Sequence, residues 1–434
     1  MAGWIEDLVR DVGGAVRDRT DADVARWFER CYAATLERTV VPQPDGTAFL
    51  VTGDIPAMWL RDSSAQLAPY LHAADEHDAL ADLLVAVNRR QLDQVRHDPY
   101  ANAFNAGPTG EGHSGDRTDG SAWVWERKYE IDSLCAPLHL AADIYRATGR
   151  TSHLDERYVT AVRQTIATWR TEQDHEARSS YRFERFDCPP SDTLVRDGRG
   201  APVAVTGMSW SGFRPSDDAC RYGYLVPGNA FASVVLADVA EIADEVVGDP
   251  ALAAEARALR DDIERGIAEH GVVTVDGEEI LAYEVDGLGG ALLMDDGNVP
   301  SLLSLPYLGW CAADDPRYLT TRRRLLSPAN PTYVSGTAAR GIGSPHTPPD
   351  HVWPIALAVE GLTTTDPDDR DRLLATLMAT DAGTGAMHES FHKDDPTTFT
   401  RPWFSWADAM FCELVLEVAG LRSAARRHAP YGAR

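Results

Sequence analysis

The chain has 434 residues, 44% of them hydrophobic, and a formal net charge of −26 at pH 7. A surface this acidic repels nucleic acid and anionic membranes, which excludes polyanion binders as a class. No apolar run approaches the ~18–20 residues that a membrane-spanning helix needs.

The amino-terminal stretch MAGWIEDLVRDVGG is acidic and amphipathic, without the basic start and apolar core of an export signal. Six cysteines (Cys31, Cys135, Cys188, Cys220, Cys311, Cys412) are scattered with no C-x-x-C pair and read as reduced, mostly buried thiols. A cytoplasmic protein is expected. Lys128 and Lys393 are its only lysines, so arginine carries nearly all the positive charge. One reading is a G+C-rich coding bias. The other is work in molar salt, where repulsion between carboxylates is screened within about 3 Å.

In chain order, apolar residues recur every three to four positions over residues 23–39, 64–95, 131–148, 151–172, 230–247, 251–270, 300–313, 352–362, 370–380 and 405–418. That period predicts helices. Strand-like runs are short and fall at 49–52, 181–186 and 272–275. No Pro/Ser-rich linker divides the chain, so residues 1–434 read as a single domain. The helices come in pairs. The segments between pairs (53–66, 100–129, 206–229, 332–354 and 384–406) are rich in aromatic residues, Arg, Asp, Asn and His. An all-α toroid of helical hairpins, with short β-hairpins in its loops, would bring one end of every pair to a common centre. Loops on such a scaffold are where binding and catalysis concentrate.

The last of these segments contains HESFH, residues 388–392, which fits the zinc-protease pattern H-E-x-x-H. That pattern needs a helix, so that both histidines share one face with the Glu beside them. Glycines upstream and Pro396 downstream argue against a helix here. No third ligand follows at a matching spacing. Glu389 is better read as a loop-borne catalytic carboxylate, with no metal.

A second acidic centre lies in TGMSWSGFRPSDDACRYGYLVPGN, residues 206–229. Here Asp217 and Asp218 stand among Trp210, Phe213 and Arg214. Helix capping by Ser216 or Asp217 would explain one acid, but not its surroundings. Two adjacent acids in a cleft have unequal affinities for a proton, and a general acid must keep one. Paired carboxylates with aromatic platforms are the equipment of glycosidic bond cleavage. Candidates to stack on a sugar are Trp59, Trp125, Trp210, Trp403, Phe404 and Trp406. Candidates to hold its hydroxyls are Arg61, Asp62, Glu126, Asp132, His346 and His351.

In TGDIPAMWLRDSSAQ (52–66), WERKYEIDSL (125–134), the 206–229 segment and MHESFHKDDPTTFTRPWFSWADAMF (387–411), the chain resembles glycoside hydrolase family 125, the exo-α-1,6-mannosidases. The match runs in order from about residue 20 to 420. It implies an (α/α)6 barrel and an inverting hydrolase that needs no metal or cofactor. The implied partner is a mannose-containing oligosaccharide or glycoconjugate, cut at terminal α-1,6-linked mannose. The resemblance further implies Glu389 as general base and an aspartate of RPSDD as general acid, Asp217 or alternatively Asp218. Arg61, Asp62, Glu126, Arg214, His346 and Trp403 match positions expected to hold sugar.

Overall fold

Burial sorts the helices into two rings. The computed structural model describes residues 2–423, so residue 1 and residues 424–434 of the expected domain lie outside it. An amino-terminal helix, Ala2–Arg17 (α1), packs on Ala22–Thr39 (α2). From there the chain alternates between an inner and an outer ring. Leu60–Ala65 (α3) is inner and Asp78–His97 (α4) outer; Ile131–Thr148 (α5) is inner and Glu156–Glu172 (α6) outer. Val226–Ile242 (α7) is inner and Pro250–Gly266 (α8) outer. An irregular inner segment precedes the outer helix Pro316–Leu325 (α9). Pro354–Leu362 (α10) is inner, Pro367–Ala379 (α11) outer and Ser405–Val418 (α12) inner. Helix α12 packs on both α10 and α2, which closes the ring.

Sequence explains the sorting. Every residue of α10 is buried, whereas α8 buries a single stripe that includes Leu252, Leu259 and Ile263. A helix apolar all round belongs inside; one with an apolar stripe faces water. Four outer helices start at an Asp cap, whose carboxylate accepts a main-chain N–H: Asp155, Asp249, Asp315 and Asp366. In three of them Pro250, Pro316 or Pro367 follows directly, where a missing N–H costs nothing. Inner helices start differently. Met58–Trp59, Tyr224–Leu225, His351–Val352 and Phe399–Thr400 lead into α3, α7, α10 and α12 and belong to small antiparallel sheets. One apolar cluster runs from Ile5 to Ala419.

The helical toroid expected from the sequence is present, with three local corrections. The expected helix at 64–95 is broken into α3, a 3-10 segment Ala68–Ala73 and α4. The segment 300–313 winds through turns, such as Ser304 N–H to Ser301 O at 3.1 Å, rather than a helix. Pro306 there lacks an N–H, and Gly309 has φ +83°. The run 181–186 makes only an isolated bridge, Arg117 to Glu184, because its apolar residues Tyr181 and Phe183 are inserted into the core. All six cysteines are free, four of them buried.

Candidate active site

Residues just ahead of the inner helices converge on one cavity of about 290 Å³. Trp59, Arg61 and Asp62 enter from the start of α3, and Asp217 from the loop before α7. Asn298 enters from the segment before the irregular inner stretch, His346 and Trp353 from before α10, and Glu389, Arg401, Phe404 and Trp406 from around the start of α12. Helix N-termini carry partial positive charge, and Asp62 and Asp132 occupy the first turns of α3 and α5. A second cavity of about 420 Å³ shares Ile55, Trp59, Asp217 and His346 with the first and adds Trp125, Glu126, Lys128 and Asp218. Asp217 and Trp59 therefore stand at the junction of two sugar-sized spaces.

The Asp217 turn is tightly made. Its φ is +65°, left-handed and sparsely populated for a residue with a side chain. Asp217 N–H donates to Arg214 O at 2.9 Å, and Arg214 N–H donates to Asp218 O at 2.8 Å. Lys128 Nζ donates to the Asp217 carbonyl at 2.8 Å. These bonds fix where the carboxylate points. Asn102 Nδ2 donates to it at 3.0 Å and also lies 3.0 Å from Glu126 and 3.3 Å from Glu130. Burial pushes the Asp217 carboxyl up. Lys128, a hydrogen bond with Glu130 and Arg61 outweigh that and bring it down to about 2. Glu130 goes the other way: burial lifts it well above the usual carboxylate range, against the pull of Arg61.

Asp218 takes a different place. Its side chain is buried, its Oδ1 is 3.3 Å from His346 Nδ1, and it lines the second cavity. Desolvation pulls the His346 imidazole down, but the Asp218 hydrogen bond and the charges of Asp217, Asp218 and Glu389 lift it to about 9. His346 thus favours its cationic form at neutral pH, bound to Asp218 and within reach of the charges of Asp217 and Glu389. Asp62 is pushed up to about 6 by burial, with Arg61 opposing.

Glu389 sits in a bend directly before the strand Ser390–His392, so HESFH is not helical. Both ring nitrogens of His388 face main-chain carbonyls, Arg401 O at 3.2 Å and Asp381 O at 3.1 Å, and its ring stacks on Phe399. His392 pairs across the sheet with His351. Among the described residues, no three His, Cys, Asp or Glu are grouped to hold a metal ion. Glu389 N–H donates to Thr400 O at 3.3 Å, and the nearest cation is Arg401, 3.7 Å from its carboxylate.

Four expected sugar contacts are moved off the cavity walls. Trp210 is 1% exposed and stacks on His175 at 3.7 Å; Gly200, Gly212 and Gly223 close around its indole so tightly that a Cβ would meet it at 3.0 Å or less. It is core, not a platform. Trp403 donates from Nε1 to Asp408 at 2.7 Å and lies under Arg38, bracing the loop from below. Arg214 is committed to buried Glu284 at 2.6 Å. Asp132 lies beneath Arg61, 3.2 Å from its guanidinium. Glu126 and Trp125 line the second cavity rather than the first, and His351 is held in the neighbouring sheet with Nδ1 3.1 Å from Pro349 O. Trp59, Arg61, Asp62, His346 and Phe404 do line the first.

Sequence reading passed over Asn102, Glu130, Asn298 and Arg401. Two had a signal: Glu130 lies four residues from Glu126 in the same motif, and Arg401 three before Phe404. Asn298 lay in MDDGNVP, which has no aromatic marker. Several polar atoms at this end of the barrel find no hydrogen bond within the protein, among them Trp59 Nε1, Trp406 Nε1 and Asp218 Oδ2. Buried polar groups without partners are rare and mark places where a ligand or water completes the site.

Residues 21–416 match the family described as metal-independent alpha-mannosidase. A Streptococcus pneumoniae protein, solved in a non-productive substrate complex with alpha-1,6-mannobiose, is 49% identical. The match covers 97% of this chain and 99% of that one, with a TM-score of 0.95. The meiotically up-regulated gene 157 protein of Schizosaccharomyces pombe is 37% identical over 95% of this chain and 85% of its own length. A bacterial glucoamylase complexed with acarbose, 14% identical over 95% of this chain and 57% of its own, superposes with a TM-score of 0.62 and shares the fold alone. The chain belongs to glycoside hydrolase family 125 and is a metal-independent alpha-mannosidase.

Proposed function

We propose that this enzyme removes terminal non-reducing α-1,6-linked mannose with inversion, using Asp217 as general acid and Glu389 as general base. The observation that carries the reading is that Asp217 and Glu389 line the same cavity while Asp217 also borders the second. The terminal mannose would fill the first space and the leaving sugar the second. Asp217 at the junction is then beside the glycosidic oxygen. Asp218 faces only the second space and is bound to His346, which favours Asp217 as the acid. The α-1,6 linkage is supported by the mannobiose bound to the Streptococcus pneumoniae relative.

The chemistry is a single displacement. Asp217 delivers a proton to the leaving oxygen, and Glu389 takes one from the water that attacks the anomeric carbon. Positive charge develops on the sugar ring, and ionised Asp62 would stabilise it through space. Trp59 and Phe404 offer faces for the sugar C–H groups, and Arg61 and Asn298 offer donors for hydroxyls. The substrate is read as a mannose-containing oligosaccharide or glycoconjugate, with residues 1–434 working as one catalytic domain.

A panel of α-1,2-, α-1,3- and α-1,6-mannobiose tests the linkage. The reading expects the 1,6 isomer to be cleaved far faster than the others; equal rates on all three would overturn it. The acidic surface supports a cytoplasm of high salt, in which carboxylate repulsion is screened. A melting temperature that does not rise with KCl would remove that reading.

A further inference from the structure

Arg61 is one positive charge facing three carboxyl groups. Its guanidinium lies 3.4 Å from Asp62, 2.5 Å from Glu130 and 3.2 Å from Asp132. Lys128 is taken by Asp192 and by Glu126 at 3.7 Å, Arg185 by Glu126 at 2.8 Å, and His346 by Asp218 at 3.3 Å, so none of these pairs with Glu130 or Asp132. Glu130 is 1% exposed and Asp132 fully buried. Unbalanced buried charge is expensive, and a bound proton is the simplest way to balance it.

Geometry places that proton beside the acid. Glu130 Oε1 and Asp217 Oδ1 both lie within 3.3 Å of the same Asn102 amide nitrogen, which brings the two carboxyls together. Asn102 Nδ2 has two hydrogens for three carboxylates, since Glu126 is also 3.0 Å away. One of the three contacts has no hydrogen to fill it. Ser133 Oγ, at 2.7 Å, and Arg61 hold the other oxygen of Glu130. Its remaining oxygen faces Asn102, whose amide nitrogen also holds Asp217.

We propose that Glu130 is a positioning residue that stores the catalytic proton and hands it to Asp217. This rests on the reading of Asp217 as general acid. In the resting enzyme Asp217 is ionised, and the Glu130 carboxyl carries the proton of the pair. When substrate excludes water, the Glu130 O–H bond breaks and an Asp217 O–H bond forms. That bond then breaks as the proton joins the leaving oxygen and the glycosidic C–O bond opens. Glu389 gains the proton that water loses. The cycle resets when Glu389 releases its proton to solvent and the pair takes one up. The low proton affinity of Asp217 at rest is thereby reconciled with its role: Asp217 alone would be empty, but the pair is not.

The test uses two leaving groups. The mannose released from α-1,6-mannobiose needs a proton; dinitrophenolate released from 2,4-dinitrophenyl α-mannoside does not. Glu130→Gln is expected to lower kcat about 10²-fold on mannobiose and to leave the dinitrophenyl substrate little changed. The alkaline limb of kcat/KM should also move to lower pH. The neutral amide can no longer hold the shared proton, and Lys128, Arg61 and His346 then favour ionised Asp217 against Asp62, Glu126 and Asp132. Equal losses on both substrates would make Glu130 merely structural and overturn the proposal. Asp217→Asn separates the two claims. If it shows no leaving-group split, the assignment of Asp217 fails; if it does and Glu130→Gln does not, only the role of Glu130 fails. Should Glu130→Gln not fold, Glu130→Asp keeps the Arg61 partner and withdraws the carboxyl from Asp217. It should show the same split more weakly, and equal losses would again overturn the proposal.

Discussion

The surroundings of the two carboxylates proposed as catalytic differ sharply. Asp217 sits on a left-handed turn, with Asn102 and Lys128 in direct contact, Glu130 on the same Asn102 nitrogen, and the charges of Arg61 and His346 acting on it. Glu389 sits in a bend just ahead of the central strand of a three-stranded sheet, with Arg401 3.7 Å away and the His346 charge acting on it. The difference follows from their tasks. An acid must deliver a proton at a pH where carboxyls lose theirs, and since Lys128, Arg61 and His346 favour ionised Asp217, the proposed source of that proton is its pairing with Glu130. A base needs only to stay ionised beside a water molecule.

Removing the base outright has the largest expected effect. Glu389→Gln should fold normally and lose about 10²- to 10⁴-fold in kcat; wild-type turnover would take Glu389 out of the mechanism. On the acid side, Lys128→Met should be costly in a different currency. It removes a buried ammonium that holds the Asp217 carbonyl and shares Glu126 and Asp192 with Arg185, at a cost of up to about 3–5 kcal/mol. Denaturant unfolding measures this, and a loss under 1 kcal/mol would mean that the centre is less charged than described.

His346 sharpens the contrast through pH. Its proton affinity is raised from 6.5 to about 9, so its favourable pairing is fully present below 6.5 and is lost as pH rises through about 9. The stability difference between wild type and His346→Gln should therefore shrink across that window; a difference that grows with pH would contradict the pairing. The smallest effect belongs to the base side. Arg401→Gln removes the 3.7 Å pairing with Glu389, the bond to Asp54 and the stacking on Phe404 but no proton-transfer group, so kcat should fall only a few-fold. A loss matching that of Glu389→Gln would erase the asymmetry between the two sides.

Much of the fold was legible because inner and outer helices differ in apolar pattern. The inner segment at 300–313 misled because its apolar spacing is helical while Pro306 and Gly309 forbid the helix. The loops between helical pairs identified the site's end of the barrel. Within them, aromatic type did not separate platform from core. Trp59 and Trp210 look alike in sequence, but three glycines fold around Trp210 and bury it. Asn102 was invisible, and Glu130 legible only as a neighbour of Glu126, for a deeper reason. Their importance lies in sharing one nitrogen's hydrogens with Asp217, 115 residues away from Asn102 in sequence. Such a contact exists only once the barrel has closed.

The most direct test follows α-1,6-mannobiose by proton NMR as it is hydrolysed, with and without EDTA. The account predicts that β-mannose appears first and that EDTA changes nothing. If α-mannose appears first, or if EDTA abolishes turnover, the single displacement by Asp217 and Glu389 is contradicted.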